Sequence, residues 1–358
     1  MLKMSQTDDD FFVYPSYVSS ELKNDTYFLF IHTHADLTDT FNDAYNRNFE
    51  RQGIYGIRFV FDFNQPICNT LYFPNVKTIH FGKIFNQSID NVVFPLTVEV
   101  IVFGNQFNQS IERVKWTQNL KVLNLGRSFN HSIYNLPINL MSLTIGNLSV
   151  DGQQHFPKTL RKVRFEGNFS EQRVKLPHFI EEIEFGSDFD QPVYNFPKAL
   201  KMIDFGENFN QPIQDVVFHN SVEEMTFRFK FNQSLDRLNI PLSLRFLYFG
   251  ESFNQPLDKI YFPDKLERLI FGRKFNQPLD NVAFPNSIII LHFGYEFNQP
   301  MNHIKLPTSL NTLTFGYHFD QPIDKMKIPK SLMTIYVEKN FKHLINHLPI
   351  KFIDYNIY

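Results

Sequence analysis

Phe followed by Asn-Gln-Pro or Asn-Gln-Ser, or a close variant, recurs at Phe63, Phe85, Phe107, Phe129, Phe169, Phe189, Phe209, Phe231, Phe253, Phe275, Phe297 and Phe319. A partial unit opens at Phe341. With Leu148 standing in the one slot without Phe, successive spacings are 22, 22, 22, 19, 21, 20 and 20, then a run of 22 to the end. A motif at this period leaves few folds open. One such unit cannot bury its own apolar face, so the copies must stack, and the core grows one coil at a time. Repetition also explains the abnormal 42 Phe in 358 residues. Thirty of them fill three slots: thirteen open the unit, seven close its first apolar run and ten end its second.

A clean unit runs from Phe253 to Lys274. Ile260-Tyr261-Phe262 ends in Pro263, and Leu266-Glu267-Arg268-Leu269-Ile270-Phe271 ends in Gly272. Alternating runs bounded by Pro and Gly are strand-and-turn grammar, and neither is long enough for an ordinary helix. The pattern predicts a mainly β, right-handed solenoid of about 13 coils of about 22 residues, with two short strands per coil. In the full units that open with Phe, the Asn after it is replaced by Asp190, Asp320 and Ser170, each of which keeps a side-chain oxygen acceptor. Such a residue caps turns and can also form a ladder along stacked copies. The sequons at Asn86, Asn108, Asn130 and Asn232 read as by-products of that role.

The unit with its tail Phe-Pro-x-Ser-Leu-x-x-Leu-x-Phe-Gly resembles the FNIP repeat, over about residues 63–350. FNIP repeats are similar to leucine-rich repeats and occur chiefly in social amoebae and in giant viruses that infect amoebae. The resemblance implies a leucine-rich-repeat-like solenoid that binds other proteins. Viral members often place an F-box before the repeats, which implies an alternative role as substrate receptor of a ubiquitin ligase, with a ligase adaptor as partner. The candidate segment lies in residues 11–40, from Tyr14-Pro15 through Ile31, and departs from the Leu-Pro start of an F-box.

The expected organisation is a flexible tail at 1–10, an N-terminal cap with a degenerate first repeat at 11–62, the repeat solenoid at 63–340 and a C-terminal cap at 341–358. A change in curvature is expected between Phe129 and Phe209, where the coils shorten. Lys+Arg 35 against Asp+Glu 37 gives a net charge of −2, without a general attraction to nucleic acid. The single Cys68 excludes an intrachain disulfide and a cysteine-based zinc site. A polar, acidic start without a signal-like apolar core and the lack of a membrane-length apolar run predict an intracellular, cytoplasmic protein that does not enter a membrane.

No nucleophile with a neighbouring base, phosphate loop or paired-carboxylate pattern emerges, so neither an enzyme nor a cofactor is expected. His32 with His34 and His343 with His347 are the close His pairs, and neither has a nameable third ligand. Function is expected instead in the outward positions of the second run. These are acidic in the middle coils (Glu182, Glu184, Asp204, Glu223, Glu224) and then apolar or aromatic (Phe246, Tyr248, Ile270, Ile290, His292). An exposed apolar stripe marks a partner site. The first run and its flanks are mildly basic, with Arg113, Lys115, Arg173, Lys175, Lys259, Lys305, Lys325 and Lys327.

Overall fold

The computed structural model describes residues 27–31, 54–67, 75–147, 155–167, 176–338, 341, 343 and 351–354. The chain divides into two compact units, Met1–Gly167 and Asn168–Tyr358. Seven strands belong to the first: β1 Tyr27–Ile31, β2 Ile54–Phe59, β3 Thr78–His80, β4 Val100–Val102, β5 Val122–Asn124, β6 Ser142–Ile145 and β7 Lys162–Phe165. The second holds β8 Glu182–Phe185, β9 Met202–Asp204, β10 Glu224–Thr226, β11 Phe246–Tyr248, β12 Arg268–Ile270, β13 Ile290–His292, β14 Thr312–Thr314, β15 Thr334–Val337 and β16 Lys351–Asp354.

Within each unit every strand pairs in parallel with the next in sequence, as in Ile79↔Ile101↔Leu123 and Leu247↔Leu269↔Leu291. This is a β-solenoid, and no helix occurs among the described residues. Among the described residues each coil contains one strand, not the predicted two. The first run is taken up by a turn, in which the Ile260 N–H donates to the Leu257 carbonyl (3.1 Å). A second turn follows at the Pro, where the Leu266 N–H donates to the Pro263 carbonyl (3.0 Å), and a third follows the strand, where Phe297 N–H reaches the Gly294 carbonyl (3.2 Å). Three residues ending in a Pro that has no N–H cannot sustain a ladder. Isolated bridge positions, at Val93 and in the pair Asn195↔Val217, are what remains of a second sheet among the described residues.

The core is ranked aromatic rings. Within a coil, Phe271 stacks on Phe275 at 4.0 Å between centroids, and Phe275 stacks on Phe253 and Phe297 of the adjacent coils at 6.1 Å each. All four rings are essentially inaccessible. A third rank closes the first run, where Phe94 lies on Trp116 at 5.8 Å and Phe196 on Phe218 at 5.3 Å. The ranks begin early, since Phe59 on β2 stacks on Phe81 at 4.9 Å, and they extend late, since Phe341 stacks on Phe319 at 5.9 Å. Glycine ends most strands because coils approach closely there: a Cβ on Gly272 would stand 2.3 Å from the Gly250 carbonyl oxygen.

The segment expected to resemble an F-box contains a strand, since Tyr27–Ile31 form β1 and pair with β2. The rest of residues 11–40, with His32 and His34, lies outside the described residues, as do Cys68, Leu148, Ser170, Arg173, Lys175 and His347.

Candidate functional site

Side chains that point away from the core form rows, because parallel strands in register set equivalent positions side by side at about 4.8 Å spacing. In the second unit one row runs Glu182, Met202, Glu224, Phe246, Arg268, Ile290, Thr312. Its companion, two residues further along each strand, runs Glu184, Asp204, Thr226, Tyr248, Ile270, His292, Thr314. Nine of the ten residues singled out in the sequence lie on this one sheet face, and Tyr248, Ile270 and His292 are direct neighbours on β11, β12 and β13. Apart from Asp204, the nine are half-buried, not openly exposed.

Asp204 departs from expectation. It is 8% exposed and accepts hydrogen bonds from Arg228 Nε at 2.9 and 2.8 Å and from the Gly206 N–H at 3.0 Å. Gly206 has φ 75, a left-handed conformation that glycine adopts without penalty, and the Asp204 carboxylate fixes that turn. Asn124 does the same for Gly126 in the first unit. Asp204 is therefore a structural acid. Phe246 also differs from an open apolar anchor: the guanidinium carbons of Arg245 and Arg268 stand 5.1 and 5.3 Å from its ring centroid. Glu182 and Glu184 are engaged in polar or electrostatic contacts. Burial, reinforced by Asp204 and Glu182 and opposed by Arg268, holds the Glu224 carboxyl above its ordinary value. Burial pushes the His292 imidazole below its ordinary value, so it stays neutral at pH 7.

Glu223, grouped with Glu224 by sequence, belongs to another row, formed by the residue before each strand. Here each N–H donates to the carbonyl of the preceding member: Glu99 to Lys77, Lys121 to Glu99, Met141 to Lys121, Arg161 to Met141 in the first unit. In the second unit the chain runs Glu181, Lys201, Glu223, Arg245, Glu267, Ile289. Charges alternate along much of it. Glu99 pairs with Lys77 at 2.8 Å and Lys121 at 2.7 Å, Lys201 with Glu181 at 2.7 Å, and Arg245 Nε with Glu267 at 2.9 Å. Burial opposes ionisation of Glu99, yet the two lysines outweigh it and hold its carboxyl below the ordinary value. This row was not foreseen, although Lys77, Glu99 and Lys121 at 22-residue spacing were its visible signal in the sequence.

A further ladder uses the repeat's Asn and Gln. Asn254 Oδ1 accepts from the Asn276 N–H (2.9 Å) and from Gln277 Nε2 (3.0 Å), and Asn276 repeats this toward Asn298 and Gln299. Asp190 substitutes for Asn, accepting from the Asn210 N–H at 2.9 Å. The expected ladder is present, but the local cap is made by Ser: Ser88 Oγ accepts from the Asp90 N–H at 3.3 Å. His343 takes the Gln slot of the last unit, its Nε2 lying 3.0 Å from the Asp320 carbonyl, which gives it a structural task in place of the considered metal pair. The basic residues of the first run (Arg113, Lys115, Lys259, Lys305, Lys325, Lys327) lie exposed on turns and the irregular segments that follow them, and Lys259 pairs with Asp236 at 3.1 Å. No group of three metal-ligating side chains occurs among the described residues.

The FNIP repeat model matches residues 63–106, 107–148, 231–274 and 275–318. The chain is an FNIP-repeat protein. Among solved structures, this FNIP-repeat chain is similar to the crystal structure of CroV588, a giant-virus protein described as a novel circular LRR protein structure. The TM-score is 0.56 at 28% identity, over 85% of this chain and 53% of that one. The FNIP-repeat chain thus spans about half the length of CroV588. YopM from Yersinia enterocolitica WA-314 aligns at a TM-score of 0.31 and 15% identity, over 84% of this chain and 80% of that one. Curated protein sequences return no match. No helix among the described residues is long and apolar enough to cross a membrane.

Proposed function

We propose that this FNIP-repeat protein is a non-enzymatic scaffold that binds another protein through the outward sheet face of its second unit. The observation that carries the reading is the row Tyr248, Ile270, His292, with Ile290 beside it: half-buried apolar and aromatic groups in register across three strands. Repeat stacking gives such a face a fixed geometry, so little ordering entropy is lost on docking. Glu224, beside Phe246 in the adjoining row, adds a carboxylate at its border. Neutral His292 contributes apolar surface at pH 7 without bringing a charge. The ubiquitin-ligase reading rests on residues 11–40, and no observation on the described residues favours it.

The test is affinity capture by the tagged full-length chain from extracts of the cells that produce it, quantified by mass spectrometry. Ile270→Lys combined with Tyr248→Ala should reduce the captured partner at least tenfold while leaving the thermal midpoint within a few degrees. Unchanged capture by this folded double variant would assign binding to another face.

A further inference from the structure

In the second unit the third residue after each strand from β9 to β14 forms one more row: Glu207, Phe229, Glu251, Arg273, Tyr295, Tyr317. Backbone bonds fix its register. The Lys230 N–H donates to the Glu207 carbonyl (2.8 Å), Ser252 to Phe229 (3.0 Å), Lys274 to Glu251 (2.9 Å) and Glu296 to Arg273 (2.8 Å). Side chains in this row reach their counterparts one coil away. Tyr295 stacks on Tyr317 at 4.9 Å between centroids, and the Arg273 guanidinium carbon stands 4.7 Å from the Tyr295 centroid. The same slot of the first unit repeats the pairing, with Lys83 Nζ 5.3 Å from the centroid of Phe61.

Phe229 breaks this pattern. It is 59% exposed, and among the described residues no cation lies over its ring. The slot holds a carboxylate on each side instead, Glu207 one coil before and Glu251 one coil after, both exposed. Neither carboxylate enters a hydrogen bond or ion pair among the described residues. The Glu207 charge acts on Arg228, but that guanidinium is held by Asp204 at 2.9 and 2.8 Å. Arg273 lies over Tyr295 and makes no ion pair with Glu251, and Lys230, exposed beside Phe229 in sequence, makes none with either acid. An open aromatic ring with a carboxylate on each side is complementary to a cation that the chain does not itself supply there.

We infer that this slot docks a protein segment through an arginine side chain. The guanidinium stacks on Phe229 as Arg273 stacks on Tyr295. That position lies over an adjacent coil, about 5 Å away, where Glu207 or Glu251 accepts its N–H groups. Arginine fits the slot better than lysine, because a planar guanidinium stacks on a ring and donates within its own plane at once. The site uses none of the residues of the sheet face proposed above, so the two readings stand or fall separately.

A random dodecapeptide library displayed on phage, depleted on the Phe229→Ala protein and then panned against the full-length parent at physiological salt, tests the proposal. Enriched peptides should share an arginine. In fluorescence anisotropy with the unaltered protein, exchanging that arginine for citrulline, which keeps the plane and loses the charge, should lower the affinity at least tenfold. Glu207→Gln combined with Glu251→Gln should also lower it at least tenfold while leaving the thermal midpoint within a few degrees. Tyr248→Ala combined with Ile270→Lys should change it less than twofold. Peptides enriched without arginine, a library with no enrichment, a citrulline copy that binds equally well, undiminished binding to the double glutamine variant, or loss of binding in the Tyr248 and Ile270 variant would each overturn the inference. The citrulline comparison decides even if a substituted protein fails to fold.

Discussion

His80 shows how far one residue's role depends on its neighbours in adjacent coils. It lies on β3 opposite Arg58 of β2, and burial first, then the Arg58 charge, lowers its pKa to about 3. In the unfolded chain a histidine takes up its proton near ~6.5. Between these values the unfolded state binds more protons, so stability falls as pH falls, by up to about 1.4 kcal/mol per pH unit from this group. Above pH 7 it contributes no pH dependence. Urea denaturation at pH 6 and pH 4 should give a smaller stability loss for His80→Gln than for the parent, and equal losses would locate the acid sensitivity elsewhere. Neither the buried state of His80 nor the paired state of Asp204 was legible in the sequence. The slot shows that a side chain points away from the core. Whether stacked neighbours then enclose it, as Arg228 does Asp204, is decided by coils more than 20 residues away.

At the scale of the coil, the 22-residue period made the stacking legible, and the acceptor kept wherever a full Phe-opened unit replaces Asn made the ladder legible. The second strand was misjudged because a three-residue apolar run closed by Pro satisfies both a short strand and the end of a turn, and turn hydrogen bonding won. The ladder makes a quantitative prediction. Removing the Asn254 side chain leaves the Asn276 N–H and the Gln277 amide without that acceptor, at a cost of about 1–3 kcal/mol. Asn254→Ala should lower the denaturation midpoint accordingly. Asn254→Asp, which keeps the acceptor as Asp190 does, should lower it by less.

At the scale of the molecule, stability in a solenoid is a sum of coil terms and nearest-neighbour interfaces. Deletion of residues 275–296, one complete period, brings Phe297 into the place of Phe275 and should yield a folded protein with parent-like circular dichroism. Deletion of residues 275–285, half a period, sets Gly and Pro slots against apolar ones and should yield an aggregated or unfolded chain by size-exclusion chromatography. Equal behaviour of the two would mean that the coils are not modular.

Modularity has a hazard of its own. Near-identical coils can pair out of order, and the aromatic ranks would accept a wrong neighbour almost as readily as the right one. The charged row gives the coils parity. If a coil skipped its neighbour and docked on the next but one, Lys77 would face Lys121, Glu181 would face Glu223, and Lys201 would face Arg245. Growth in strict sequence sets unlike charges side by side, so these exposed pairs, each weak in the finished fold, disfavour docking on the next coil but one.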